Sequence, residues 1–262
     1  MQSLQFSGRY YRHFPAEGFL GYAEEEFRIT PEQAALILVD VYGLGFAEEE
    51  ELPDRFPLGS AESYAKQKDI VVNHIKPAAD AARDAGMPVV YVSNSAPRMA
   101  LEGYEFTKHA KRAANHMLSD VYMEDCVDPK AYHYGEPRLI AYSKAIQPRP
   151  GDYFVRKFTY SGFFGTHLDQ LLRNLGSKVL FFVGFSLDIC LHCTMIDALY
   201  RNYKVVLLRD CALAFEMPDE RPTWAWTKRM TLWTESFLGV TITAEQFVEA
   251  CKALPGQGTA SE

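Results

Sequence analysis

A cysteine lies at the start of a predicted helix, a position that favours a reactive thiol. Cys190 follows the apolar run 179–183 and a turn at Gly184, and it lies in the first turns of the predicted helix 187–202. Unpaired N–H groups and the positive end of the helix dipole favour a thiolate at such a position. Because the thiolate is the form of cysteine that attacks carbonyl groups, the placement predicts a nucleophile.

Two charged side chains lie, like the turn before Cys190, just after predicted strands. Asp40 ends the aliphatic run 35–39, and Lys157 follows the segment 153–156, which reads Tyr-Phe-Val-Arg. The carboxyl ends of parallel strands line one crevice in an open α/β sheet, so we expect both residues to meet Cys190 there. A carboxylate at the end of a buried strand also needs a partner, because an unpaired one is destabilising.

The rest of the chain alternates strand and helix patterns. The predicted strands are 35–39, 89–92, 152–155, 179–183, 205–208 and 240–242, the last one at an edge of the sheet. The predicted helices are 63–85, kinked or restarted at Pro77, then 166–175, 187–202, 224–237 and 244–253. This alternation is typical of βαβ units and predicts an α/β fold with a mostly parallel, six-stranded, Rossmann-like sheet.

One domain accounts for most of the 262 residues. We expect it to span 31–254, with an excursion over 95–150 that covers the crevice as a lid. Residues 1–30 are rich in Tyr and Phe and are interpreted as an extension that packs on the domain or on a neighbouring subunit, so we expect a homo-oligomer. The tail 255–262 is expected to fray.

Composition narrows the class of partner. A net charge of −7 disfavours nucleic acid and anionic membranes, which leaves a small molecule as the expected partner. The longest apolar segment, 179–185, is far shorter than the roughly 20 residues that span a bilayer, and no signal peptide is recognised. The five cysteines are odd in number and unevenly spaced, which indicates reduced thiols and a cytoplasmic protein.

Motifs for metals and common cofactors are missing from the sequence. The seven histidines form no H-E-x-x-H, H-x-H or D-x-H pattern, so no metal is predicted. No G-x-G-x-x-G follows a predicted strand and no Walker-type loop is present, so no nucleotide cofactor is predicted.

Three segments resemble motifs of the isochorismatase-like cysteine hydrolases, a family of three-layer αβα proteins. These segments are Leu36 to Asp40, Lys157 to Thr166 and Gly184 to Cys190. The likeness covers roughly 33–245, and the sequence departs from it after Asp40, where the family often carries a glutamine and this chain has Val41-Tyr42. The absence of D-x-H makes nicotinamide a poor candidate substrate.

The resemblance implies a role for each residue of the set. Cys190 is expected to be the nucleophile, Asp40 the general base, and Lys157 the cation that orients both and favours the thiolate. It also implies a cis peptide bond at Phe185–Ser186, with the N–H groups of Ser186 and Cys190 forming an oxyanion hole.

Within the family, this chain most resembles ureidoacrylate amidohydrolases and the biuret and triuret hydrolases. The likeness lies in Pro150-Gly-Asp, the lysine motif and Thr234-Glu-Ser-Phe. The expected reaction is metal-independent cleavage of a C–N bond in a small ureido, carbamoyl or linear amide compound. Ammonia leaves, and a cysteine thioester forms as an intermediate.

Further polar and aromatic residues near the predicted crevice are candidates for substrate contacts. Aromatic rings could pack planar ureido groups and exclude water, while an amide and a carboxylate could accept their N–H groups. The candidates are Tyr42, Phe46, Asn94, Tyr160, Phe164 and Glu235.

Two other functions stay open at this point. One is vinyl-ether hydrolysis of the isochorismatase type, which uses acid–base chemistry on the aspartate and can lack the cysteine. The other is a catalytically silent member that serves as a binding or scaffold protein. The presence of Cys190 argues against the first, and the intact set of Asp40, Lys157 and Cys190 argues against the second.

Overall fold

The structure is a computed structural model, and it describes residues 3–14, 20–42, 60–94, 105, 142 and 144–254. Phe46, most of the predicted excursion over 95–150 and the predicted tail 255–262 lie outside the described residues.

One mixed sheet of eight strands runs through the described part of the chain. The strands are β1 (Leu4–Arg12), β2 (Gly21–Ile29), β3 (Ala34–Val39), β4 (Val89–Asn94), β5 (Tyr153–Lys157), β6 (Val179–Phe185), β7 (Lys204–Leu213) and β8 (Val240–Ile242). Their order across the sheet is β2-β1-β8-β7-β6-β3-β4-β5. Strands β3 to β8 are mutually parallel, and β1 and β2 form an antiparallel hairpin. The predicted class with six parallel strands is confirmed, and the hairpin widens the sheet by two strands.

Helices cover both faces of the sheet. They are α1 (Ala61–Ile70), α2 (Lys76–Asp84), α3 (Leu168–Asn174), α4 (Cys190–Tyr200), α5 (Ala225–Phe237) and α6 (Ala244–Lys252), with 3-10 turns at Pro31–Gln33 and Lys144–Ile146. Helices α1, α2 and α6 pack on one face, and α3, α4 and α5 pack on the other, which gives three layers. None of the helices in the described ranges is both long enough and apolar enough to cross a membrane.

Pro77 lies in the first turn of α2, where the hydrogen-bond pattern of the helix changes, and the sequence predicts a kink or a new helix at this position. A π-helical turn, Val71–Ile75, joins α1 to α2, and the N–H of Lys76 bonds to the carbonyl of Val71. Proline has no N–H and is tolerated in the first turn of a helix, where that donor has no intrahelical partner. The helical path therefore continues through 61–84 although its hydrogen-bond pattern changes.

The N-terminal residues are part of the sheet, and this corrects the position of β8. Arg9 in β1 pairs with Thr241 in β8, so β8 is an interior strand and not the edge that the sequence predicts. Phe6 and Phe27 stack with their ring centroids 5.0 Å apart and are buried in the core. The aromatic extension therefore packs on its own domain in this region. An edge could not be distinguished from an interior strand because the hairpin gives no pairing signal in the sequence.

The central strands β3 and β6 are buried along their whole length, as expected for continuous apolar runs covered on both faces. Gly184 of β6 pairs with Val39 of β3, and its φ is 120°. A Cβ atom at this position would lie 2.0 Å from the carbonyl oxygen of Val39. Glycine is therefore required at position 184. Its pairing partner Val39 directly precedes Asp40, and Gly184 itself lies six residues before Cys190.

Candidate active site

The structure brings Asp40, Lys157 and Cys190 together at the carboxyl edge of the parallel strands. The Lys157 Nζ lies 2.8 Å from Asp40 Oδ2 and 3.4 Å from Cys190 Sγ. These residues follow or end β3 and β5, or open α4 directly after β6. The convergence expected from the ends of three parallel strands is present in the structure.

Lys157 is fully buried and is surrounded by acceptors. Its ammonium group also donates to Asn94 Oδ1 and, over 3.3 Å, to the carbonyl of Thr159. Burial alone lowers the pKa of Lys157, but the charges of Asp40 and Cys190 outweigh it, so the pKa lies above the usual lysine value. The site therefore holds a fixed positive charge beside the sulfur.

Burial works against ionisation of the Cys190 thiol. Burial raises the pKa of the Cys190 thiol above its ordinary value, the charge of Lys157 opposes this rise, and the charge of Asp40 adds to it. The sequence-based expectation that the helix start favours a thiolate is outweighed here, because desolvation disfavours the charged form. A base must therefore remove the proton before the sulfur can attack, and Asp40 is the carboxylate in contact with this group.

Asp40 reaches the site through a sharp turn at the end of β3. Its φ is 49°, in the left-handed region that aspartate tolerates better than most residues. The Asp40 N–H still bonds to the carbonyl of Val92 over 2.9 Å, which ties the turn to β4. The carboxylate is thus held by its backbone as well as by its ion pair.

The turn before Cys190 is braced by Asp188. Its carboxylate accepts hydrogen bonds from the Ser186 hydroxyl at 2.8 Å, the Phe215 N–H at 3.0 Å and the Trp226 Nε1 at 3.0 Å. These bonds attach Phe215 and Trp226 to the turn that precedes Cys190. Asp188 was not among the predicted site residues, although a polar residue two positions before the cysteine is a signal that could have found it.

Two backbone donors in this turn point to an anion-binding role. The peptide bond Phe185–Ser186 is cis, at the position that the resemblance implies. The N–H groups of Ser186 and Cys190 donate to no acceptor among the described residues. Unpaired donors beside a nucleophile are what an oxyanion hole requires.

Tyr42 and Asn94, two of the predicted substrate contacts, bond to Asp40 and Lys157. The Tyr42 hydroxyl donates to Asp40 Oδ1 over 2.9 Å and accepts the Asn94 N–H over 2.9 Å. The Asn94 side-chain oxygen already accepts a hydrogen bond from the Lys157 ammonium group, as described above.

The two aromatic candidates of the lysine motif are partly exposed. Burial raises the pKa of Tyr160, and the charges of Cys190 and Cys193 raise it further. Phe164 lies on the surface with its ring edge-on to Phe158, at a centroid distance of 6.3 Å.

Glu235 is not part of this site, so the expectation that it contacts substrate is not supported. It is buried on α5, where Oε1 lies 2.8 Å from a guanidinium nitrogen of Arg9 and accepts from Thr241 Oγ1 over 2.6 Å. Its partners lie on β1 and β8, beyond β7 from the catalytic strands. Glu235 lies within the aromatic-rich helix α5, and nothing in that segment of the sequence predicts an ion pair with a residue 226 positions away.

Tyr142 is a second residue that the sequence did not indicate. Its ring packs edge-on against Tyr91 with centroids 4.8 Å apart, and its hydroxyl is buried. Burial raises the pKa of Tyr142 to about 12, and the charge of Asp40 contributes to the rise. Tyr142 and Tyr91 belong to the core on one face of the sheet, whereas Cys190 packs against the core on the other face.

No group of three or more His, Cys, Asp or Glu side chains in the described ranges is arranged to hold a metal ion.

Sequence comparison agrees with this geometry. Residues 34–245 match the model of the isochorismatase domain, which covers most of the chain and contains all three converging residues. This chain belongs to the isochorismatase family. The hairpin β1–β2 precedes the matched region.

Curated relatives carry one recurring name. The ureidoacrylate amidohydrolase RutB of Rhizobium rhizogenes is 30% identical over 190 residues, which are 71% of this chain and 72% of the relative. The protein of the same name from Pantoea ananatis is 31% identical over 195 residues, which are 74% of each chain.

Solved structures share the fold. A cysteine hydrolase from Pseudomonas syringae pv. phaseolicola superposes with a TM-score of 0.66 at 22% identity, covering 86% of this chain and 95% of that chain. The N-carbamoylsarcosine amidase of Thermoplasma acidophilum gives a TM-score of 0.55 at 25% identity, covering 81% and 97%. The solved structures that share this fold therefore include one that is named for carbamoyl and amide chemistry.

Proposed function

We propose that this protein is a cysteine amidohydrolase that cleaves a C–N bond of a small ureido, carbamoyl or linear amide compound and releases ammonia. The observation that carries the proposal is the buried ammonium of Lys157, which contacts both Asp40 and Cys190. A thiol, a base and a fixed cation within contact distance are the groups that nucleophilic attack on a carbonyl needs.

In the proposed reaction, Asp40 takes the proton of Cys190 and the thiolate attacks the substrate carbonyl. Lys157 stabilises the thiolate that forms, which matters because burial disfavours that charge. The N–H groups of Ser186 and Cys190 stabilise the oxyanion, and each such donor contributes about 10²–10³-fold to the rate in known cases.

Asp40 then gives its proton to the departing nitrogen, so ammonia leaves and an acyl or carbamoyl thioester remains. A water molecule activated by Asp40 hydrolyses this thioester and restores the thiol. One amide and one water are consumed for each ammonia and each acid or carbamic acid formed.

Two findings support a ureido or carbamoyl substrate over other amides. The relatives that match about three quarters of the chain are named for ureidoacrylate. A structural neighbour at 25% identity is named for N-carbamoylsarcosine. Biuret and triuret have the same planar N–CO–N unit and belong to the proposed class.

The test is a measurement of ammonia from biuret, triuret, ureidoacrylate, N-carbamoyl amino acids and simple amides. We expect at least one ureido compound to be cleaved and Cys190→Ser to abolish its cleavage. Rapid acid quenching and mass spectrometry should find the acyl or carbamoyl group on the peptide that contains Cys190.

Cys193→Ser is the matched control, because Cys193 is a partly buried thiol three residues along the same helix. It should keep the activity. Full ammonia release by Cys190→Ser would contradict the nucleophile role, and cleavage of a vinyl ether with no amide cleaved would favour isochorismatase-type chemistry.

A further inference from the structure

The carboxylate of Asp40 is held from two sides. Lys157 contacts Oδ2, and the Tyr42 hydroxyl donates to Oδ1 over 2.9 Å. The other titratable groups that act on this carboxylate are Cys190 on α4 and Tyr142, which precedes the 3-10 turn at Lys144–Ile146. With both oxygens engaged, the carboxylate has one orientation toward the sulfur.

The chain places Tyr42 at Asp40 by a tight turn. The N–H of Tyr42 bonds to the carbonyl of Asp40 over 3.0 Å, which is the i to i+2 bond of a γ-turn. This turn folds the tyrosine back beside the carboxylate two residues earlier. The contact is therefore built by the backbone and does not depend on a long loop.

Asn94, the last residue of β4, connects the two partners of Asp40. Its backbone N–H donates to the Tyr42 hydroxyl over 2.9 Å, and its side-chain oxygen accepts from Lys157. Because the Tyr42 oxygen accepts a hydrogen bond from the Asn94 N–H, the Tyr42 hydroxyl is oriented to donate its own hydrogen bond to Asp40. A single residue thus fixes both the hydroxyl and the ammonium that face the carboxylate.

We propose that Tyr42 is a positioning residue that keeps the Asp40 carboxylate ionised and aimed at Cys190, and that it is not a substrate contact. This inference rests on the proposed role of Asp40 as the base. A hydrogen bond donated to a carboxylate favours its charged form. A hydroxyl oxygen and proton that are both engaged inside the protein have little left for a ligand.

The test compares Tyr42→Phe with the wild type, using the ureido compound that the wild type cleaves fastest. We expect kcat at the plateau of the pH profile to fall about tenfold and KM to stay within twofold, because a misplaced base slows chemistry without weakening binding. The acid limb of the kcat/KM profile should move to higher pH by about one unit, since a hydrogen bond to the charged form is lost.

A second readout needs no substrate. The rate at which iodoacetamide alkylates Cys190 is measured against pH, and the limb that depends on Asp40 is identified as the one that Asp40→Asn removes. This limb should move in the same direction in Tyr42→Phe. If no amide is cleaved, the proposed function fails, but the alkylation profile still decides the role of Tyr42.

Tyr203→Phe is the matched control. The Tyr203 hydroxyl donates to Asp169 Oδ1 over the same 2.9 Å, but this pair joins β7's start to α3, away from Asp40. This variant should leave kcat, KM and both pH profiles unchanged. A rise in KM with kcat maintained in Tyr42→Phe would make Tyr42 a substrate contact, and an unmoved acid limb would also overturn the proposal.

Discussion

Replacing Lys157 by methionine should destabilise the fold through the partner that it leaves behind. The variant keeps a similar side-chain volume but removes the ammonium that contacts Asp40 at 2.8 Å. Lys157 has no exposed side-chain surface and Asp40 only 4%, so solvent cannot replace the lost partner. An orphaned buried charge of this kind costs about 3–5 kcal/mol. We expect the free energy of unfolding to fall by about this amount near neutral pH.

The decrease in the free energy of unfolding of Lys157→Met should depend on the charge of Asp40. Lowering the pH should shrink the difference between variant and wild type, because the orphaned carboxyl can take up a proton in the folded state. The double variant Asp40→Asn/Lys157→Met removes both charges and should be more stable than Lys157→Met alone, since neutral replacements of buried pairs are often tolerated.

The assay is urea-induced unfolding followed by the fluorescence of the three tryptophans, with linear extrapolation to water. The double-mutant cycle then gives the coupling energy between residues 40 and 157. A loss below about 1 kcal/mol in Lys157→Met, or losses that simply add in the double variant, would refute the view that the pair is buried and mutually dependent.

Three further outcomes are expected. Gly184→Ala should fail to give stably folded protein, because its Cβ would lie 2.0 Å from the Val39 oxygen, whereas Gly86→Ala, with no atom within 4 Å of its Cβ, should only lower Tm. Glu235→Gln should lower the free energy of unfolding by about 1–3 kcal/mol while kcat and KM stay within about twofold, and a large change in KM would restore Glu235 as a substrate contact. Burial raises the pKa of Tyr91 to about 12, so the unfolded chain loses this proton first as pH rises above about 10, and stability should fall there by less in Tyr91→Phe than in the wild type.

The convergence of Asp40, Lys157 and Cys190 was predictable because each residue ends or follows an apolar run. Parallel strands put their carboxyl ends at one edge, so the positions of Asp40, Lys157 and Cys190 in the sequence already imply that they meet. The balance of effects on the Cys190 thiol was not predictable, because burial raises its pKa while the nearby ammonium of Lys157 lowers it.

The substrate contacts were less predictable, because side-chain direction within a turn is not encoded in a pattern of residue types. Tyr42 and Asn94 were placed near the crevice correctly, but their polar atoms face Asp40 and Lys157. Glu235 was misplaced because its partner Arg9 lies in a hairpin far away in sequence. The homo-oligomer and the cytoplasmic location stay predictions.

The hairpin β1–β2 has a consequence for any shortened form of this protein. The region that matches the family begins at residue 34, so a chain trimmed to that region would lose the strand that covers β8. The outer edge of β8 and the Phe181 ring that packs against Phe6 would then be open to other molecules. In the intact chain the edge belongs to β2, where Glu24, Glu25 and Glu26 place three like charges in a row. Charged edge strands discourage strand pairing between copies, so we expect the trimmed chain to aggregate more readily than the chain with its hairpin.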